Sequence, residues 1–284
     1  MKKIKCILLT VLALTLTGCF KNESVENISI TTSVYPIEYV VNMLYGDHSK
    51  ITSMYPKDTD TNSFEVTNVL LDQYKDNDMF IFNGLSNESN NVKYLLKKNK
   101  KLKIIDVTAN MQYDYSEEEL WLDPNNLLTI TNNIRKGFKE YITSTYLINE
   151  IEENYENLKI ELTGLDGKYY STAKNATNTT IIVSDDAFKY LEKYGIKVVS
   201  IDEDTAKEKT INEAKQLISN NVCSYIFIKY GEDSNYLNNF INETGITKLE
   251  LYTMTNLEGI DIEKTNYIVL MNQNLENLKL ELYK

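Results

Sequence analysis

The sequence predicts an α/β protein of two small lobes, each with a mostly parallel sheet flanked by helices, joined by one long linking helix. Three observations carry this. Short apolar runs alternate with helix-period segments from residue 28 to 107, the alternation returns after residue 174, and between them apolar residues recur every three or four positions. Parallel neighbours need a crossover, and the crossover is helical, so such alternation implies sheets covered on both faces. A chain of 284 residues, 42% hydrophobic and 25% charged, is long enough for two such cores.

The first strand begins at Ile28. Pro36, with its preset φ, suits the first turn of a helix in which Ile37, Val40, Val41 and Leu44 share a face until Gly46 stops it. Ile51 to Met54 reads as the next strand. A polar loop through Asp60 and Phe64 follows, then a helix from Val66 to Lys75 and the strand Met79 to Phe82, closed by Asn83-Gly84. Helix and strand repeat at Val92 to Lys98 and Lys103 to Val107.

From 147 to 173, Ile148, Ile151, Tyr155, Leu158, Leu162 and Leu165 fit one amphipathic helix, on the order of 40 Å long, that limits hinge opening. Gly164 and Gly167 each cost it roughly 1 kcal/mol against alanine. The second lobe follows with strands Thr180 to Val183, Lys197 to Ile201 and Ser224 to Ile228. Between and after them lie helices Asp186 to Tyr194 before Gly195, Ile211 to Asn220, and Asn235 to Thr244 before Gly245. The resulting plan is a first lobe at 28–146, the linking helix at 147–173 and a second lobe at 174–284.

Forty-one acidic against 30 basic residues give a net charge of −11. A nucleic-acid partner is excluded on that balance, because phosphate binding needs clustered Lys or Arg. The one basic run, Lys97, Lys98, Lys100 and Lys101, reads as the solvated end of a helix. The single histidine, His48, falls in a turn and is expected at the surface. One such His permits no Ser-His-Asp or Cys-His arrangement, and no Gly-rich phosphate loop occurs, so an enzyme is not expected and no residue is nominated as catalytic. Cys223, within Val222 to Phe227, reads as a small apolar residue of a buried strand.

Residues 1–18 carry Lys2, Lys3 and Lys5, an apolar run from Ile7 to Leu16, and Leu16-Thr17-Gly18 before Cys19. The run is shorter than the roughly 20 residues a membrane span needs, and small residues precede Cys19. The segment resembles a bacterial lipoprotein signal peptide. That resemblance implies removal of 1–18, a diacylated Cys19, a lipidated tether over 19–27 and a home on the extracytoplasmic face of the cell membrane.

Six strings then occur in order: Thr32 to Ile37, Asp60 to Thr67, Asn83-Gly84-Leu85, Trp121 to Asn125, Ser184 to Tyr190, and Asn266-Tyr267 through Asn274-Leu275. Together they resemble the metal-binding solute receptors of ABC importers, the manganese and zinc family. The resemblance implies capture of a divalent cation between the lobes by a monomer that delivers it to a permease of the metal-transport type. It also implies four ligand positions. The first, before Phe64-Glu65, falls on Asn62, and the second, before Trp121-Leu122-Asp123-Pro124, on Glu119. The third, before Ala187-Phe188-Lys189-Tyr190, falls on Asp185, and the last near Tyr252, with Glu250 or Glu258 as substitutes. The family's imidazoles are replaced by oxygen donors, which suit Mn²⁺ better than Zn²⁺. Two other readings stay open: a fold that has lost metal binding and serves as a surface interaction or adhesion protein, and a cleft for another small ligand.

Overall fold

The computed structural model describes residues 27–56, 64–262 and 264–284. The expected leader, Cys19 and the loop segment carrying Asn62 lie outside them. The first lobe runs β1 (Ile28–Thr32), α1 (Tyr35–Tyr45), β2 (Ser49–Ser53), α2 (Asn68–Tyr74), β3 (Met79–Phe82), α3 (Glu88–Lys98) and β4 (Lys103–Asp106). Its four strands are parallel in the order β2-β1-β3-β4. Next come α4 (Glu119–Leu122), α5 (Pro124–Tyr141) and the 30-residue α6 (Thr145–Lys174). The second lobe runs β5 (Thr180–Val183), a 3₁₀ helix (Asp186–Tyr194), β6 (Lys197–Ser200), α7 (Glu208–Ser219), β7 (Tyr225–Lys229), α8 (Asn235–Thr244), β8 (Thr247–Leu251) and α9 (Tyr267–Leu282). Its sheet repeats the first, parallel in the order β6-β5-β7-β8.

Local chemistry explains most of these elements. All four residues of β3 are buried, as a central parallel strand covered on both faces requires. Gly84 follows β3 because the Asp106 carboxylate lies where a side chain would stand, within 2.5 Å of an added Cβ, while accepting from the Gly84 N–H at 3.1 Å. The long helix α6 is started by the Ser144 side chain, which accepts from Leu147 N–H, and it buries Ile151, Leu158, Leu162, Leu165 and Tyr169. A methyl group at Gly164 or Gly167 would meet nothing within 4 Å, so both lie on the open side of the helix and leave its packing intact.

Beyond shifts of up to three residues at other element ends, the structure differs from the sequence reading in four places. The helix at Asp186–Tyr194 is 3₁₀, a distinction that apolar spacing of three and four does not make. α3 starts at Glu88 rather than Val92, because Glu88, Ser89, Asn90 and Asn91 supply a polar first turn that hides the period. β8, α4, α5 and α9 were not resolved as elements from the sequence. His48 is not a plain surface residue: its ring is half-buried, with Nε2 2.9 Å from Glu150 Oε2 on α6, since the long helix passes beside this turn.

One apolar core runs through both lobes, from Ile30 and Val40 through Trp121, Leu162 and Tyr169 to Phe188 and Tyr267. Two smaller cores cover the remaining sheet faces, one around Phe80 and Leu95 and one around Ile226 and Phe240. Polar contacts add to the shared core. Trp121 Nε1 donates to Thr253 O at 2.9 Å, Tyr267 OH donates to Trp121 O at 2.6 Å, and the Tyr39 and Tyr267 rings stack at 5.6 Å.

Candidate functional site

In each sheet the first strand has the second on one side and the third on the other. The crevice outside the carboxyl ends at such a switch is where parallel sheets take ligands. In the first lobe, Val34 follows β1 and Asn83 follows β3; in the second, Ser184 and Asp185 follow β5, and Lys229 ends β7. A cavity of about 490 Å³ opens at the first switch, lined by Val34, Tyr55, Phe64, Glu65, Glu88, Glu117, Glu118, Trp121 and Thr255. A second of about 410 Å³ opens at the other, lined by Ser184, Asp185, Asp202, Lys229, Tyr230, Glu232, Thr253 and Thr255. Thr255 lines both, so the two chambers adjoin across it.

Carboxylates far outnumber cations in the lining, but most are committed to local structure. Glu88, 3% exposed, accepts from Asn83 N–H at 2.8 Å. Burial, with Glu117 and Asp106 adding repulsion, pushes it up to about 8 against the Asn83 hydrogen bond, so it is mostly neutral at pH 7. Burial also raises Glu117, although Asn83 Nδ2 donates to it at 2.7 Å. Asp202 accepts from the backbone N–H of Asp186, Asp204 and Thr205. Among the described lining residues Lys229 is the one cation. Burial pulls its ammonium down, but Asp185, Glu118 from the first lobe and Glu232 more than offset that and hold it above the usual lysine value.

The sequence-nominated donors fare unequally. Asp185 lines the second chamber, where Oδ1 accepts from Ala187 N–H at 2.8 Å and Oδ2 lies 2.5 Å from Lys229 Nζ. Glu119 is turned to the preceding loop, accepting from Asp114 N–H at 3.2 Å and Tyr115 N–H at 3.3 Å, and lines neither chamber. Tyr252 also stands outside both linings, its ring 4.8 Å from that of Tyr230; burial raises its hydroxyl, which keeps it a neutral and weak donor. Glu250 and Glu258, the substitutes, are exposed. Among the described residues no group of three or more His, Cys, Asp and Glu is placed to hold a metal ion.

Two features of the cleft escaped sequence reasoning. Glu88 and Glu117 lie next to the quoted strings, but neither an isolated glutamate nor the first of a run of three announces burial. Thr255 lines both chambers and Thr253 the second, with the two hydroxyls 2.8 Å apart and Met254 buried between them in sequence. Met254 holds φ at 68°, a left-handed conformation that costs a non-glycine residue about 1–2 kcal/mol and is the kind of strain found at ligand sites. No sequence signal marks it. Cys223 is buried as expected, but it precedes β7 rather than lying in the strand, and burial pushes its thiol up to about 12.

The family profile described as "Zinc-uptake complex component A periplasmic" matches residues 30–280. The manganese-binding lipoprotein MntA of Halalkalibacterium halodurans is 22% identical over 97% of this chain and 97% of its own. The zinc-binding protein AdcA of Streptococcus pyogenes is 21% identical over 89% of this chain, which spans 56% of that longer relative. The Zn(II)-bound ZnuA-like domain of Streptococcus pneumoniae AdcA shares the fold, with a TM-score of 0.75 at 23% identity over 91% of this chain and 100% of that domain.

Proposed function

We propose, from the premise that the chain belongs to the zinc-uptake component A family of solute-binding proteins, that it is the lipid-anchored, extracytoplasmic receptor of a metal-type ABC importer. Its cargo is a divalent cation taken into the cleft between the lobes and passed to a permease. The observation that carries this reading is the pair of matching parallel sheets whose switch points open into adjoining chambers that both hold carboxylates. Oxygen donors suit a hard cation such as Mn²⁺, whereas tight Zn²⁺ sites rely on His and Cys. Asp185 is the donor already in the cleft. Asn62, Glu119 and Tyr252 complete the proposed set, the last two joining only when cargo draws them from their present partners.

The test is titration of metal-stripped protein with Mn²⁺ and Zn²⁺ by calorimetry, with native mass spectrometry for stoichiometry. One Mn²⁺ per chain is the expected result, with Zn²⁺ held far more weakly than a His or Cys site would hold it. A chain that takes neither ion would turn the reading toward a fold kept without its cargo. The anchor is tested separately. Cys19→Ser should leave the fold unchanged and shift the protein from the membrane pellet to the soluble fraction, because diacylation holds a protein where one chain binds only marginally. Retention in the pellet would sink the lipoprotein assignment.

A further inference from the structure

Neither oxygen of Asp185 is idle. Oδ1 caps the 3₁₀ helix through Ala187 N–H at 2.8 Å, and Oδ2 holds the Lys229 ammonium at 2.5 Å. The fold sets this pair. Asp185 follows the end of β5, Lys229 ends β7, and the strands are neighbours with Val183 in register with Phe227. Glu232 Oε2 fixes the base of the lysine by accepting from its N–H at 3.0 Å, and it also takes the Ser184 hydroxyl at 2.5 Å. Glu118 acts on the same ammonium from the first lobe. A positive charge therefore already stands on Asp185, the one sequence-nominated donor that lines the cleft.

We propose that Lys229 is a tethered occupant of the cation position, so that a divalent ion enters only by displacing its ammonium from Asp185. This rests on the cation-capture reading above and adds what sets the affinity. A divalent ion sits about 2.1–2.6 Å from a ligating oxygen. An ammonium kept on that same oxygen would then stand beside it, and the two cations would repel in a partly desolvated cleft. The lysine stem is flexible enough to swing the charge out toward solvent. Being covalently attached, it returns as soon as the ion leaves and is never diluted away. Lys229 thus lowers affinity and favours release.

The experiment titrates Mn²⁺, and Zn²⁺ in parallel, into metal-stripped wild type, Lys229→Met, Lys229→Gln, Lys229→Arg and the Lys229→Met/Asp185→Asn double variant. Each is first checked for cooperative thermal unfolding, with the glutamine variant standing in if methionine fails to fold. Calorimetry and the fluorescence of Trp121, which lines the first chamber, read binding. Removing the charge should tighten Mn²⁺ binding by roughly tenfold or more, Lys229→Arg should show no such gain, and the double variant should lose it. Equal, measurable affinity in wild type and Lys229→Met overturns the role of the lysine while leaving cation capture standing. A gain that survives Asp185→Asn also overturns it, since the ion would then sit elsewhere. No uptake by any variant overturns both readings together.

Discussion

Trp121→Ala should lower the unfolding free energy by about 3–5 kcal/mol, among the largest losses a single substitution in this chain can cause. The indole is 2% exposed within the core shared by both lobes. It makes a hydrogen bond to Thr253 O at 2.9 Å, and the Trp121 carbonyl accepts from Tyr267 OH at 2.6 Å. Truncation removes the ring, leaves a cavity and strips the Thr253 carbonyl of its donor. Trp121→Phe should cost less, about 1–3 kcal/mol, because the ring volume is largely kept while the buried carbonyl still loses its partner. Urea denaturation followed by circular dichroism measures both, since the sole tryptophan is the residue replaced. A loss below about 1 kcal/mol for the alanine variant would mean that the lobes are held together elsewhere. The expectation has a functional side. Trp121 lines the first chamber and donates to Thr253, which lines the second, so the contact that joins the lobes also ties the two chamber walls together.

The fold was legible because its signals are local. Strands such as Met79–Phe82 and Thr180–Val183 are runs of apolar residues bounded by turn residues, and α6 announces itself through the spacing from Ile148 to Leu165. Gly195 and Gly245 mark helix ends, and both adopt the positive φ that favours glycine there. Segments that depend on distant partners were not legible. β8 reads Thr-Lys-Leu-Glu-Leu with an exposed-dominated pattern, and pairing with β7 makes it a strand. The site was less legible again. A resemblance located Asp185 at the carboxyl end of β5, but the side chain that meets it comes from residue 229, more than forty positions on, and only the parallel pairing of β5 with β7 brings them together. Glu119 shows the converse. Its position before Trp121 is fixed by the string, yet the direction of its carboxylate is set by loop N–H groups that the string does not contain.

Replacing Glu88 should change how stability depends on pH more than any other single carboxyl substitution in the cleft. Its folded value is raised from 4.5 to about 8, first by burial and then by Glu117 and Asp106. The sign follows from proton counting. Between those two values the folded state keeps the proton and the unfolded state has lost it, so stability falls as pH rises from about 4.5 to about 8 and levels off above. At about 1.4 kcal/mol per unit, the wild-type penalty on the alkaline side is at most about 5 kcal/mol. Glu88→Gln retains an oxygen to accept from Asn83 N–H at the start of α3 but carries no charge to desolvate. It should match the wild type near pH 4, gain on it steadily through pH 6 and 7, and exceed it by several kcal/mol at pH 9. Urea midpoints at pH 4, 5, 7 and 9 measure the divergence. Parallel curves across that range would show that Glu88 is ionised in the folded chamber, and the first lobe would then present one more negative charge to the cleft than its burial allows.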